Sequence, residues 1–277
     1  MRTDAAPLPG ALLPGALSAR ALTAQRAPEA LPTWLTPPLA APHQHAGPAH
    51  LRLPATEQRA TQLCTAREAA LDEVVRRFLQ RAPLGLIAHH THQPGARFRR
   101  LDNRELSWVD VTPPGFAGSA PSLQRLPLDR HRVIVRPLAD PGWFAELGWT
   151  EGRSLLLVFD EAPARALRRT LLSFAQAFPT AEAAFAFVRP GLLGRAASRL
   201  MPALSSTLPV AGARGAARWH RDLVALGEVD CLGAIPGPLG WLGALHRALT
   251  GEPLVGVARL GVGWASRRGA ATPCDPT

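Results

Sequence analysis

The sequence contains no lysine and no tyrosine, and asparagine occurs only at Asn103. All 31 basic residues are therefore arginines, and they outnumber 21 acidic residues to give a formal net charge of +10. Because charged residues make up 19% of the chain, below the average of about 25%, the positive balance reflects a shortage of acids. Such a charge attracts anionic polymers and surfaces, but it does not identify a ligand.

Cysteine is also scarce. The three cysteines, Cys64, Cys231 and Cys274, lie far apart and form no CxxC pair, which excludes a disulfide framework and a thiolate zinc site. Long apolar runs are missing too, since proline or glycine interrupts every uncharged stretch. We therefore expect a cytoplasmic protein with no membrane span.

The first 56 residues are rich in alanine, proline and leucine and show no helical or strand periodicity. This composition predicts a disordered arm. A cleaved targeting segment is the alternative, because apolar residues follow Arg2. Asp4 and the prolines at 7, 9 and 14 interrupt that pattern, so the disordered arm is preferred.

Residues 57–188 predict an α+β domain. A helix with apolar residues at helical spacing ends at Pro83, and short strand-like runs follow at 84–90, 96–101 and 106–111, the first two as a hairpin. A buried strand at 155–159 then leads into a helix with an apolar stripe of Leu167, Leu171 and Phe174. This order predicts a central mixed or antiparallel sheet with flanking helices and is similar to that of small GAF-type or PAS-type sensory domains.

Residues 189–277 predict a helical C-terminal extension. Short helices are expected around 180–204 and 214–226, and another at 238–250 that ends at Gly251 as its C-cap. Residues 252–264 have the pattern of a strand that could return to the sheet.

His89, His90 and His92 form the densest polar cluster. On a strand, His90 and His92 would share one face and His89 the other, so a metal would need ligands from elsewhere in the chain. The sequence has no HExxH or CxxC spacing, and a solvated hairpin end is the preferred interpretation. A metal-dependent enzyme that uses these histidines is one alternative, and convergence of the cluster with Asp110 or Asp160 would favour it.

A basic region covers residues 59–137, which contain 13 arginines and 7 acids. Arginine interleaved with aromatic residues is typical of surfaces that bind single-stranded nucleic acid. The candidate residues for such a surface are Arg97, Phe98, Arg99, Arg100, Arg132 and Arg136. A charged sheet edge has the same pattern and is preferred, so an arginine-rich nucleic-acid-binding protein is the other alternative.

Asp160 follows the buried strand at 155–159, where α/β proteins often place functional carboxylates. A helix N-cap is the preferred interpretation of this residue. The sequence contains no GxSxG or SxxK motif, so catalytic residues remain unidentified and no cofactor is predicted. Taken together, these features favour a soluble, non-enzymatic regulatory protein that binds a small ligand or a protein partner, with nucleic acid as the alternative partner.

Overall fold

A computed structural model describes residues 55–116, 129–160, 162–200, 208–233 and 235–263. The predicted disordered arm lies outside these ranges, apart from its last two residues. The helices are α1 (Ala55–Arg81), α2 (Ala96–Leu101), α3 (Trp143–Glu146), α4 (Ala164–Ala177), α5 (Leu192–Leu200), α6 (Gly212–Ala217) and α7 (Pro238–Thr250). The strands are β1 (Leu86–His90), β2 (Ser107–Thr112), β3 (His131–Val135), β4 (Leu155–Phe159), β5 (Glu182–Val188), β6 (Leu208–Pro209), β7 (Leu223–Asp230) and β8 (Val255–Val262).

All eight strands belong to one sheet, in the order β3-β2-β1-β4-β5-β8-β7, and the short β6 also pairs with β5. The strands from β1 to β6 pair in parallel, whereas β8 runs antiparallel to both β5 and β7. This is a Rossmann-like α/β sheet that ends in one antiparallel hairpin. The predicted α+β class, with its mixed or antiparallel sheet and sensory-domain order, is therefore wrong.

Both faces of the sheet are covered, as the uninterrupted apolar run of β4 indicates. Leu155, Leu157 and Phe159 pack in the same core as the stripe of α4. Leu156 and Val158 pack on the opposite face with the apolar residues of α1. The predicted stripe of α4 is confirmed, since Leu167, Leu171 and Phe174 are all buried.

Three segments adopt a different secondary structure from the one predicted. The end of the helix expected at 214–226 belongs to strand β7, which begins at Leu223. Residues 96–101 form helix α2 rather than the second strand of a hairpin, because β1 and β2 are parallel and need a crossover between them. Residues 182–188 form strand β5 in the middle of the sheet rather than a helix.

The C-terminal part of the chain is not a helical extension, because β7 and β8 complete the sheet. Two predictions for this part are confirmed. Gly251 ends α7 in the left-handed conformation with φ of 73°, and β8 is the returning strand. None of the helices in the described ranges combines the length and apolar character needed to cross a membrane.

Candidate active site

A cluster of polar side chains lies at the carboxyl ends of β1, β2 and β4. Strand order reverses between β1 and β4, and ligands of open α/β sheets bind at such a switch point. His89 of β1 is the register partner of Asp110 on β2 and Val158 on β4, and Asp160 directly follows β4. The sheet therefore brings together three residues that are 21 and 50 positions apart in the chain.

His89 lies between two carboxylates. Its Nδ1 is 2.8 Å from Oδ1 of Asp110, and its Nε2 is 2.8 Å from Oδ2 of Asp160. Burial alone would lower the pKa of His89, but the charge of Asp160 and the hydrogen bonds to both carboxylates outweigh it and raise the pKa. We infer that His89 is an imidazolium that donates a hydrogen bond from each ring nitrogen.

Asp110 is a fully buried carboxylate that accepts four hydrogen bonds. Oδ1 accepts from His89 and from Nε1 of Trp108 at 2.8 Å. Oδ2 lies 2.8 Å from Nε2 of His131 and accepts from the backbone N–H of Gly95 at 2.5 Å. Burial would raise the pKa of Asp110, but the hydrogen bonds from His131 and His89 lower it to about 2. Each oxygen already accepts two donors, so no acceptor position remains for a ligand.

Arg97 joins this cluster to the helices above it. Its Nη2 donates to Oδ1 of Asp160 at 2.6 Å, and its Nη1 donates to the carboxylate of Asp72 on α1. The Arg97 side chain is only 2% exposed, so these carboxylates supply the pairing that a buried guanidinium requires.

Asp160 is the carboxylate of the cluster that reaches the surface, with 24% of its side chain exposed. Burial would raise the pKa of Asp160, but the charges of His89 and Arg97 hold it well below its usual range. The predicted N-cap role is wrong, because the N-cap position of α4 is Pro163 and Asp160 bonds to His89 and Arg97 instead. Asp160 is therefore an ionised, partly exposed carboxylate at the switch point.

The three predicted histidines do not converge on one point: as predicted, His90 and His92 lie on one side of β1, with their rings 6.2 Å apart, and His89 lies on the other. The ring of His90 is 6.3 Å from that of Phe159, and His92 lies beyond the strand with its ring 4.5 Å from that of Phe116. Only His89 reaches Asp110 and Asp160, and both its nitrogens contact carboxylates. Across the described ranges, no group of three or more His, Cys, Asp or Glu residues has the arrangement of a metal site.

The six residues of the predicted basic surface do not lie on neighbouring strands: four belong to α2, Arg132 belongs to β3, and Arg136 directly follows β3. Arg97 and Phe98 are buried, whereas Arg99 is exposed. Three of the arginines bind other protein groups: Arg100 pairs with Asp72, Arg132 donates to the Leu147 carbonyl, and Arg136 pairs with Glu146.

The sequence did not identify three residues of the cluster, Asp72, Trp108 and His131, and it named Asp110 only as one possible partner of the histidines. The available signal was Asp110, a charged residue inside the apolar run of a predicted strand, because a fully buried carboxylate must be paired. The partners could not be read from the chain, since they lie on separate elements.

No family model matches this chain, and no curated protein is similar to it in sequence. Solved structures are similar to it in fold. A candidate methyltransferase from Thermobifida fusca has a TM-score of 0.50 at 13% identity, covering 76% of this chain and 83% of its own. Geranyl diphosphate C-methyltransferase from Streptomyces coelicolor has a TM-score of 0.49 at 14% identity, covering 83% and 95%. Magnesium protoporphyrin IX methyltransferase from Synechocystis has a TM-score of 0.49 at 8% identity, covering 76% and 89%.

The prediction of a non-enzymatic regulatory protein is contradicted by the fold, which is similar to that of the candidate methyltransferase from Thermobifida fusca. The chain has a Rossmann-like fold that is similar to the fold of the candidate methyltransferase from Thermobifida fusca.

Proposed function

We propose that this protein is an S-adenosylmethionine-dependent methyltransferase and that its cofactor binds over the carboxyl ends of β1, β2 and β4. The fold supports this proposal, and the observation that carries it is the position of Asp160. An ionised and partly exposed carboxylate lies at the switch point of the sheet, held in place by His89 and Arg97. Ligand sites of this fold occupy that position.

The side chains at this edge suit the chemistry of S-adenosylmethionine in two places. Asp160 would hold the ammonium group of the methionine part through a charge-assisted hydrogen bond. Thr112, the last residue of β2, has a buried hydroxyl that makes no hydrogen bond to any described residue. Buried hydroxyls nearly always have a partner, and a ribose hydroxyl would supply one.

The site departs from the usual pattern of nucleotide-binding sheets at Asp110. In those sheets an acidic residue after the first crossover binds the ribose, and a glycine-rich loop lets the backbone approach the ligand. Here Asp110 is saturated by internal donors, and residues 91–95 contain a single glycine, Gly95, with φ of 82°. Thr112 therefore takes the ribose-binding role in place of Asp110. Asp110 instead holds the loop of residues 91–95 by accepting a hydrogen bond from the Gly95 N–H.

When bound, S-adenosylmethionine supplies an electrophilic methyl group for transfer to a nucleophilic acceptor. The role of this protein is to bind and orient S-adenosylmethionine. Asp160 would hold the amino-acid end of the cofactor, and His89 and Arg97 hold Asp160 in place. His89 is not free to act as a general base, because both of its ring nitrogens already contact carboxylates. Sites at switch points are concave and take small molecules, so we propose a small-molecule acceptor.

The test is calorimetric titration of the full-length protein with S-adenosylhomocysteine. We expect saturable binding at one site per chain and at least tenfold weaker binding in Asp160→Asn. Asp140→Asn is the matched control, because Asp140 is a partly exposed acid in the loop between β3 and α3, away from His89 and Arg97 in the hydrogen-bond network. Absence of binding by the folded wild-type protein, or equal loss of affinity in both variants, would contradict the proposal.

A further inference from the structure

Helix α7 has an exposed apolar face. Its members recur at positions i, i+3, i+4, i+7 and i+8 and contain no charge: Trp241, Ala244, Leu245, Ala248 and Leu249. Trp241 is 69% exposed and Leu249 is 72% exposed. The opposite side of the helix is also apolar and is buried through Leu239 and Gly243. A surface helix normally has a polar outer face, so this exposed face indicates a binding surface.

Helix α5 packs against α7 on the same side of the sheet and also has exposed residues. Leu192, Arg195 and Arg199 share the outward side of α5, and Leu192 is 79% exposed. Over the ranges that the structure describes, Arg195 and Arg199 make no ion pair. The two packed helices thus present exposed leucine and tryptophan side chains together with two arginines that are free to bind an anion.

The acids closest to this face along the chain do not offset the arginines. Asp230 is paired with Arg247, and Glu252 is paired with Arg189 and Arg214. The net charge of the chain, +10, adds a positive field of the same sign. The partner that is complementary to this face therefore combines an apolar layer with negative charge.

We propose that α5 and α7 form a surface that binds an anionic lipid membrane. Trp241, Leu249 and Leu192 project from convex helix faces, a shape that enters the boundary between headgroups and acyl chains. Tryptophan favours this boundary, and arginines beside it bind anionic headgroups, each strengthening binding about fivefold. The helices lie on the membrane surface and do not span it, and this surface is independent of the proposed active site.

The test is flotation of the full-length protein with vesicles. We expect binding to phosphatidylcholine vesicles that contain phosphatidylglycerol and much weaker binding to phosphatidylcholine alone. Trp241→Gln combined with Leu249→Gln should abolish binding, and Arg195→Gln combined with Arg199→Gln should weaken it more than tenfold. All four side chains are exposed, so the melting temperature should stay within a few degrees of that of the wild-type protein.

Two control variants match these changes elsewhere on the protein. Leu84→Gln replaces a 66%-exposed leucine in the turn before β1. Arg165→Gln combined with Arg169→Gln removes two exposed charges from α4, which packs on the opposite face of the sheet. Both controls should bind anionic vesicles as the wild-type protein does.

Three results would overturn the proposal. The first is no binding to anionic vesicles, and the second is an equal loss of binding in the control variants. The third is a concentration-dependent dimer without vesicle binding, removed by the Trp241 and Leu249 changes, which would assign the face to a second copy of the chain.

Discussion

His89 and Asp110 are register partners on the adjacent parallel strands β1 and β2, and their side chains are joined by a contact of 2.8 Å between Nδ1 and Oδ1. This pair is the centre of a cluster of paired charges. Its carboxylates are Asp72, Asp110 and Asp160, and its cations are His89, Arg97 and Arg100. Because the members come from β1, β2, β4, α1 and α2, the cluster joins the sheet edge to the helices that cover it.

Asp110→Asn should destabilise the protein by about 3–5 kcal/mol, because it leaves the buried His89 imidazolium with one carboxylate fewer. The amide NH2 would also face N–H donors where Asp110 has an oxygen that accepts from them. Urea denaturation followed by circular dichroism measures this change. Asp222→Asn is the control: its side chain is 43% exposed, and its loss should cost about 1 kcal/mol or less. Similar losses in the two variants would show that the Asp110 cluster contributes little.

The free energy of unfolding should decrease towards both ends of the pH range. The pKa of His89 is raised above its ordinary value of 6.5, so its contribution is complete below pH 6.5 and is lost as pH rises through the folded value. The pKa of Asp110 is lowered from 3.8 to about 2, so its contribution is complete above pH 3.8 and is lost as pH falls towards 2. Urea denaturation across this range measures both the acid and the alkaline decrease in the free energy of unfolding.

His89→Gln separates the alkaline decrease in stability from the acid decrease. Glutamine does not titrate, so this variant should be less stable at neutral pH but should lose the part of the alkaline decrease that His89 causes. If the free energy of unfolding of His89→Gln decreases as steeply at alkaline pH as that of the wild-type protein, the decrease belongs to another group.

Thr112→Val should weaken S-adenosylhomocysteine binding about threefold to tenfold, the loss expected for one hydrogen bond. It should leave the stability of the free protein unchanged or slightly higher, because a buried hydroxyl without a described partner is replaced by a methyl group of similar size. Calorimetric titration and urea denaturation of the same preparation measure the two effects. Unchanged affinity would place the ribose away from the end of β2.

Phe174→Ala should destabilise the protein by about 3–5 kcal/mol, because Phe174 is fully buried on the stripe of α4 and its removal leaves a cavity against the sheet. Arg169→Ala on the exposed side of the same helix should change stability by no more than about 0.5 kcal/mol. Thermal and urea denaturation of both variants would show whether the two faces of α4 differ as expected.

The sequence by itself determined the elements whose local pattern agrees with their final environment. The apolar run of β4 and the helical stripe of α4 predicted a strand and a helix, and both are present. Gly251 marked the end of α7 because a left-handed residue closes that helix. In these cases the signal lies within a few neighbouring residues.

Tertiary structure decided the elements whose local pattern is ambiguous. The segment EAAFAFV of β5 is rich in alanine, a strong helix former, yet it is a central strand because it pairs with β4 and β8. The arginine-rich segment of α2 has alternating residues that fit a strand, but the parallel pairing of β1 and β2 requires a crossover there.

The candidate site depended on tertiary structure for the same reason. The sequence identified His89 and Asp160 as chemically notable residues, but it could not place them 2.8 Å apart or assign Asp110 as the carboxylate on the other side of the imidazole. Strand order determines which carboxyl ends meet, and strand order is set by long-range pairing that no local residue pattern encodes.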